Sequence, residues 1–142
     1  NVTRTDSQKQ SHDDVILAAQ AERLAEAQEK IKAIIAKLTK DLKDELTRQK
    51  VEHDFHCWVK RVNRGGELFT EKELSDDFDL SQGHGGQNIQ KRKTRVNLEH
   101  IPTGETVTVQ GQRSQSQNRI VARKKMLEKL QVIADIAKLV YH

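Results

Sequence analysis

The chain has 142 residues, of which 35% are hydrophobic and 32% charged, with three Phe, one Trp and one Tyr. That length suits one compact domain, but so lean an apolar fraction leaves much of the surface for water or a partner. No apolar run approaches the ~20 residues of a membrane span, and Cys57, the only cysteine, excludes an intrachain disulfide and a cysteine-based zinc site and fits a reducing compartment.

The formal charge of +4 points to a polyanionic partner chiefly through its distribution. From Gly83 to Gln131 there are ten Lys/Arg against three Asp/Glu, a net of +7. From Glu67 to Leu80 one Lys faces six acids, a net of −5. Between Glu22 and Arg61 ten bases nearly balance eight acids, so the positive field belongs to the C-terminal half.

Residues 1–12 are polar and aperiodic and read as a flexible tail. Ser11 or Asp13 can cap the helix that follows, because a short oxygen-bearing side chain accepts from an orphan N–H. Leu17, Ala21, Leu24, Gln28, Ile31, Ile35, Leu38 and Leu42 then alternate spacings of four and three, a heptad-like seam. With no Gly or Pro before Gly65, one amphipathic docking helix is expected over 13–62, its stretch from Leu17 to Arg61 roughly 65–70 Å long. Leu24, Ile31, Ile35 and Leu38 are the centre of its docking seam. The seam can meet another protein, a second copy of the chain, or the C-terminal helix. Phe55 and Trp58 are expected to fix the helix end on a packed surface, and His53 and His56 to serve surface or packing roles rather than a metal.

Asn63-Arg64-Gly65-Gly66 stops the helix and opens a linker over 63–74. A short strand is expected over Ser75 to Leu80, with Phe78 and Leu80 on one face. Val96 and Leu98 alternate with Arg95, Asn97 and Glu99, and Val107 and Val109 repeat the alternation after the turn at Pro102-Thr103-Gly104. A last helix starts near Ser114 or Ser116, with Ile120, Met126, Leu127, Leu130, Ile133, Ile136 and Ala137 on its apolar stripe. The class is α+β: a long N-terminal helix, then a unit over 75–142 in which a small antiparallel sheet packs with a C-terminal helix.

Gly83-His84-Gly85-Gly86-Gln87 lies between the acidic and basic stretches. Three glycines in four positions let backbone N–H groups approach a ligand without Cβ atoms in the way. The spacing is not a dinucleotide fingerprint, and the Gly-Lys-Ser/Thr ending of a P-loop is missing. Asp76, Asp77 and Asp79 offer acid/base or cation chemistry in principle, but a solvated acidic segment is the expected reading. No metal site and no cofactor are expected.

This loop, then Lys91, the turn His100-Ile101-Pro102-Thr103-Gly104, and Arg113-Ser114-Gln115 with Asn118-Arg119 resemble the catalytic domain of class I peptide-chain release factors. The short codon-independent members of ribosome rescue, mitochondrial and bacterial, are the most similar. The resemblance runs from about Leu74 to Leu130. It implies hydrolysis of the ester joining a nascent peptide to P-site tRNA, within the large ribosomal subunit. The catalytic residues it implies are Gly85, Gly86 and Gln87, supported by Gly83 and His84, with the Gln87 backbone N–H stabilising developing negative charge. A neutral amide is no useful general base, so the Gln87 side chain is left to place water. Lys91, Arg92, Lys93, Arg95, Arg113, Gln115, Asn118, Arg119, Arg123, Lys124 and Lys125 would contact rRNA or tRNA, phosphate contacts serving to position the loop.

The resemblance has departures. His84 stands where a smaller residue or proline is more familiar, and Gln90 replaces an asparagine before Lys91. A stop-codon-reading domain is not expected in this length, so codon-independent rescue is the leading function, with the mitochondrial matrix as the implied location. Val132 to His142 is mainly apolar, with Lys138 its one base, where rescue factors of this size carry a basic tail. That departure keeps open a noncatalytic structural or assembly component of the large subunit.

Overall fold

The computed structural model describes residues 6–79, 94–111 and 113–141. Two helices, not one, precede the sheet: α1 over Asp6–Thr39 and α2 over Glu45–Asn63. The single helix expected over 13–62 is broken at residues 40–44, and residues 6–12, expected as a tail, are already helical. No Gly or Pro makes the break. Asp44 sits in extended backbone and caps α2, its carboxylate accepting from the Thr47 N–H at 3.3 Å and the Thr47 hydroxyl at 2.8 Å. The tertiary reason is distance. Ile31 and Phe55 share one core, yet a straight helix would hold them about 36 Å apart. Folding back at 40–44 brings both to it.

The segment over 63–74, expected as a linker, is strapped to α2. Leu68 C=O accepts from Trp58 Nε1 at 2.6 Å and Glu67 C=O from Arg61 Nε at 3.0 Å. Leu68 and Phe69 pack against the core, and a short 3-10 turn over Glu71–Glu73 leads into the sheet.

The sheet contains β1 (Leu74–Asp79), β2 (Arg95–His100) and β3 (Glu105–Val109), all antiparallel with β2 in the centre. Its register pairs Phe78 with Val96, Asp76 with Leu98, Val96 with Val109 and Leu98 with Val107. Paired residues share a face, so Phe78, Val96, Leu98, Val107 and Val109 turn inward, while Asp79, Arg95, Asn97 and Thr108 occupy the open face. β1 and β2 take the expected positions to within a residue, apart from Leu80, which lies outside the described residues. The hairpin connection over 101–104 closes with Gly104 at φ +73°, in the left-handed region that glycine tolerates.

The last helix, α3, spans Gln115–Val140, and Ser114 caps it by accepting from the Gln117 N–H at 3.1 Å. It covers the inner face of the sheet through Ala122, Met126, Leu130, Ile133 and Ala137. Ile120 and Leu127, expected on that stripe, are exposed. They lie on the helix flank, roughly 100–120° from Met126 at 100° per residue. Phe55, Trp58 and Val59 of α2 and Ile31 of α1 complete the core, and Phe55 and Trp58 serve the packing role expected of them. Among the described residues no helix is long and apolar enough to cross a membrane.

Candidate functional site

β1 runs toward the segment over 80–93 and β2 runs away from it. Gly83, His84, Gly85, Gly86, Gln87, Lys91, Arg92 and Lys93 all lie outside the described residues. What the structure shows is the scaffold on either side of them.

On the open face, Arg95 is the direct cross-strand partner of Asp79 and forks both Nε and Nη2 onto its carboxylate. Asn97 Nδ2 donates to the same carboxylate at 3.2 Å, and Asn97 Oδ1 accepts from the Thr108 hydroxyl at 2.9 Å. The Arg95 fork holds the Asp79 carboxyl below the usual range against the desolvation that would raise it, and Asn97 adds to the lowering. On the helix-covered face, Asn118 is fully buried and donates Nδ2 to the Thr94 carbonyl at 2.7 Å. Asn118 was expected among the RNA contacts, but its side chain is inside the protein, where it joins α3 to the start of β2.

Two more of the expected RNA-binding arginines are engaged within the fold. Arg123 forks onto Asp76 at 2.8 and 3.1 Å and reaches Glu71 at 2.9 Å, so it ties α3 to the edge strand and to the 3-10 turn. Arg119 stands 3.5 Å from the same Asp76 carboxylate but remains exposed. The Arg123 fork, more than burial opposes it, holds the Asp76 carboxyl below its ordinary range. The acidic stretch is therefore not simply solvated: Asp76 and Asp79 are ion-paired, and Asp77 alone of the three is exposed. Arg113, Lys124 and Lys125 are exposed, with no carboxylate in ion-pair range among the described residues. Gln115 is half-buried at the start of α3.

The His100-to-Gly104 turn is a structural joint. His100 is fully buried, its Nδ1 lying 2.8 Å from Thr103 Oγ1 and its Nε2 3.4 Å from Glu73 Oε1. Glu73 receives a fork from Arg61 at 2.7 and 2.8 Å and the Thr70 N–H at 2.9 Å. Burial pushes the Glu73 carboxyl up, but the Arg61 fork, the Thr70 N–H and the Arg61 charge together hold it low. Burial also lowers the His100 pKa, against the pull of Glu73. Neutral His100 thus links the hairpin to α2 without burying an unpaired charge. His53 lies 3.4 Å from Cys57 Sγ and His56 packs edge-on against Tyr141, the surface and packing roles expected. No group of three or more His, Cys, Asp or Glu among the described residues could hold a metal ion.

Of the residues that organise the site, the sequence reading missed Asp76, Asp79, Thr94, Glu73 and Arg61 as partners. Strand register was the available signal: Asp79 lies opposite Arg95 once Phe78 is aligned with Val96. No comparable signal pairs Asp76 with Arg123, which are 47 residues apart.

The seam of α1 divides. Ile31 is buried in the core, and Ile35 and Leu38 pack against it. These three, expected to be offered to a partner, are used inside the chain. Leu24 remains exposed, as does every residue from Lys9 to Glu26.

The sheet, whose β1 and β2 ends flank Gly-Gly-Gln in sequence, and the helix capped at Ser114 are built from one continuous stretch of the chain. Residues 67–138 match the family model described as the RF-1 domain. The chain belongs to that family and carries the class I release-factor catalytic domain. It is similar to peptide chain release factor 2 of Thermomicrobium roseum, 44% identical over 54 residues, which is 38% of this chain and 14% of that protein. It is also similar to peptide chain release factor 1 of Latilactobacillus sakei, 47% identical over 53 residues, 37% of this chain and 14% of the relative. A third relative, peptide chain release factor 1 of Mycobacterium ulcerans, is 42% identical over 65 residues, 46% of this chain and 18% of its own length. The chain thus spans less than a fifth of each of these three relatives. α1 and α2 precede the matched interval, although both contribute to its core.

Proposed function

We propose that this chain hydrolyses the peptidyl-tRNA ester on the ribosome, independently of a stop codon, to free nascent chains from stalled ribosomes. The observation that carries this reading is the RF-1 domain match over 67–138, with Gly85-Gly86-Gln87 retained inside it. The Gln87 backbone N–H donates to the oxygen that gains negative charge as the ester breaks, and glycines at 85 and 86 keep side chains clear of the tRNA terminus. Loss of one such donor costs about 2.7–4 kcal/mol in other hydrolases. The Gln87 side chain places the attacking water, and His84 borders the same loop. Lys91, Arg92, Lys93, Arg113, Lys124 and Lys125 hold rRNA or tRNA phosphates and so orient the domain. The mitochondrial matrix is the proposed location, and the exposed length of α1 over 9–26 the docking element for a ribosomal or assembly protein.

Stalled ribosomes carrying labelled peptidyl-tRNA test the reading. The wild-type chain is expected to release peptide with or without a stop codon in the A site, and Gly86→Ala to lose most of that rate. No release by wild type on ribosomes of its own compartment refutes it. In that case a stable position on the large subunit, with Gly85-Gly86-Gln87 away from the tRNA 3′ end, would establish the noncatalytic component instead. The exposed stretch of α1, outside the family match, is what favours that second reading.

A further inference from the structure

α2 ends in a run over 57–66 that carries Lys60, Arg61 and Arg64 and no acid. The backbone there caps itself: the Arg64 N–H reaches the Lys60 and Arg61 carbonyls, the Gly65 N–H the Val62 carbonyl and the Gly66 N–H the Arg61 carbonyl. The helix end therefore has no need of the Lys60 and Arg64 side chains. Both residues are exposed, and neither side chain has an ion-pair or hydrogen-bond partner among the described residues. Arg61 differs, being fixed by its fork on Glu73 and by the Glu67 carbonyl. With Cys57, Gly65 and Gly66, these three bases surround a hollow of about 420 Å³ that no carboxylate lines. Gly65, at φ +83°, has open space where a Cβ would stand, and Gly66 lies so close to α2 that its Cβ would meet Arg61 Cγ at 2.7 Å. The floor is bare backbone with its N–H groups already used, and the walls are cationic.

We infer that this hollow is an RNA contact in which Lys60 and Arg64 grip backbone phosphates, separate from the bases of α3. It lies outside the matched interval 67–138 and so belongs to this chain's own α2. The inference rests on the reading above that the chain works on the ribosome, where RNA is the polyanion at hand. Glu73 is spent on Arg61, which leaves Lys60 and Arg64 against the exposed Glu67 alone. An ammonium and a guanidinium that neutralise phosphates release counterions; such contacts position a protein without reading bases.

The test measures affinity of the whole chain for a short duplex RNA across a salt series. Lys60→Ala with Arg64→Ala is expected to weaken binding on the order of tenfold near 0.1 M salt. It should also flatten the slope of log affinity against log salt by about 1–2, since each lost phosphate contact removes ~0.9. Lys30→Ala with Lys37→Ala removes the same charge from the exposed side of α1 and is expected to change affinity far less. Cys57, the only cysteine, is exposed on the wall of the hollow and reports the place of binding: saturating RNA is expected to slow its alkylation by iodoacetamide severalfold. Wild-type affinity in the Lys60/Arg64 variant, or an equal loss in the Lys30/Lys37 variant, overturns the inference, as does an alkylation rate that RNA leaves unchanged. Inorganic phosphate or polyglutamate protecting Cys57 as well as RNA does overturns the assignment to RNA. Protection is read on the wild-type chain, so it decides even where the double variant fails to fold. A chain that binds RNA this way but releases no peptide refutes the hydrolase reading alone, whereas peptide release with an unaltered Lys60/Arg64 variant refutes only the contact.

Discussion

Replacing Ile31 by Ala separates a helix that belongs to the core from one that merely projects from it. Ile31 is 3% exposed in the same apolar cluster as Phe55, Trp58 and Met126, whereas Leu17, two heptads earlier on the seam, is 61% exposed. Ile→Ala removes three carbons, worth roughly 2.4 kcal/mol at ~0.8 kcal/mol per buried carbon. The void adds to this wherever neighbours cannot close in, so the expected loss is about 2–5 kcal/mol. With a urea slope of ~1.5 kcal/mol/M, a loss of ~3 kcal/mol lowers the unfolding midpoint by about 2 M. Leu17→Ala is expected to stay within about 0.5 kcal/mol of wild type. Urea unfolding followed by circular dichroism measures both, and amide exchange along α3 reports whether its protection falls with Ile31. Equal midpoints for Ile31→Ala and Leu17→Ala would refute the division of the seam into a buried lower half and a free upper half.

Gly104→Ala is expected to lower Tm clearly: φ +73° costs an L-residue about 1–2 kcal/mol, and the new Cβ would stand 2.8 Å from Leu38 Cδ2, so that the Leu38 side chain must shift. Stability is expected to fall with acid in two stages. The pKa of His100 is lowered on folding, so its contribution is complete above about pH 7 and shrinks as pH drops below ~6.5; those of Glu73 and Asp76 are also lowered, so theirs persists until pH falls below ~4. Urea midpoints across pH 3–8 check this, and His100→Gln should remove the upper stage alone if that histidine causes it. Trp58→Phe keeps an aromatic ring but loses part of the buried indole together with the donor to the Leu68 carbonyl, with an expected cost of at least about 1–3 kcal/mol and faster amide exchange through 67–70. Unchanged exchange there would show that the strap is held by Leu68 and Phe69 packing instead.

Local signals sufficed wherever structure followed from neighbours in the chain. Val96, Leu98, Val107 and Val109 alternate because β2 and β3 each have one buried face, and Gly104 marks the turn because a positive φ is needed there. Ser114 announces α3 because its hydroxyl satisfies an orphan N–H three residues on. The Gly-Gly-Gln segment and its spacing to Arg113-Ser114-Gln115 were likewise legible, since both are runs of residue type. Tertiary packing decided the rest. The break at 40–44 has no glycine or proline to announce it; it follows from one core drawing on both Ile31 and Phe55. A heptad pattern does not say which partner fills it, so only the folded chain shows that Ile31 meets its own core while Leu24 stays in water. The same holds for charge. Arg123, Asn118 and Lys124 look equally fit for RNA as letters, but the first is forked on Asp76, the second is buried on Thr94, and only the third faces solvent. The sequence determined which residues could form the site; long-range contacts, which no local pattern encodes, determined which of them remain available to it.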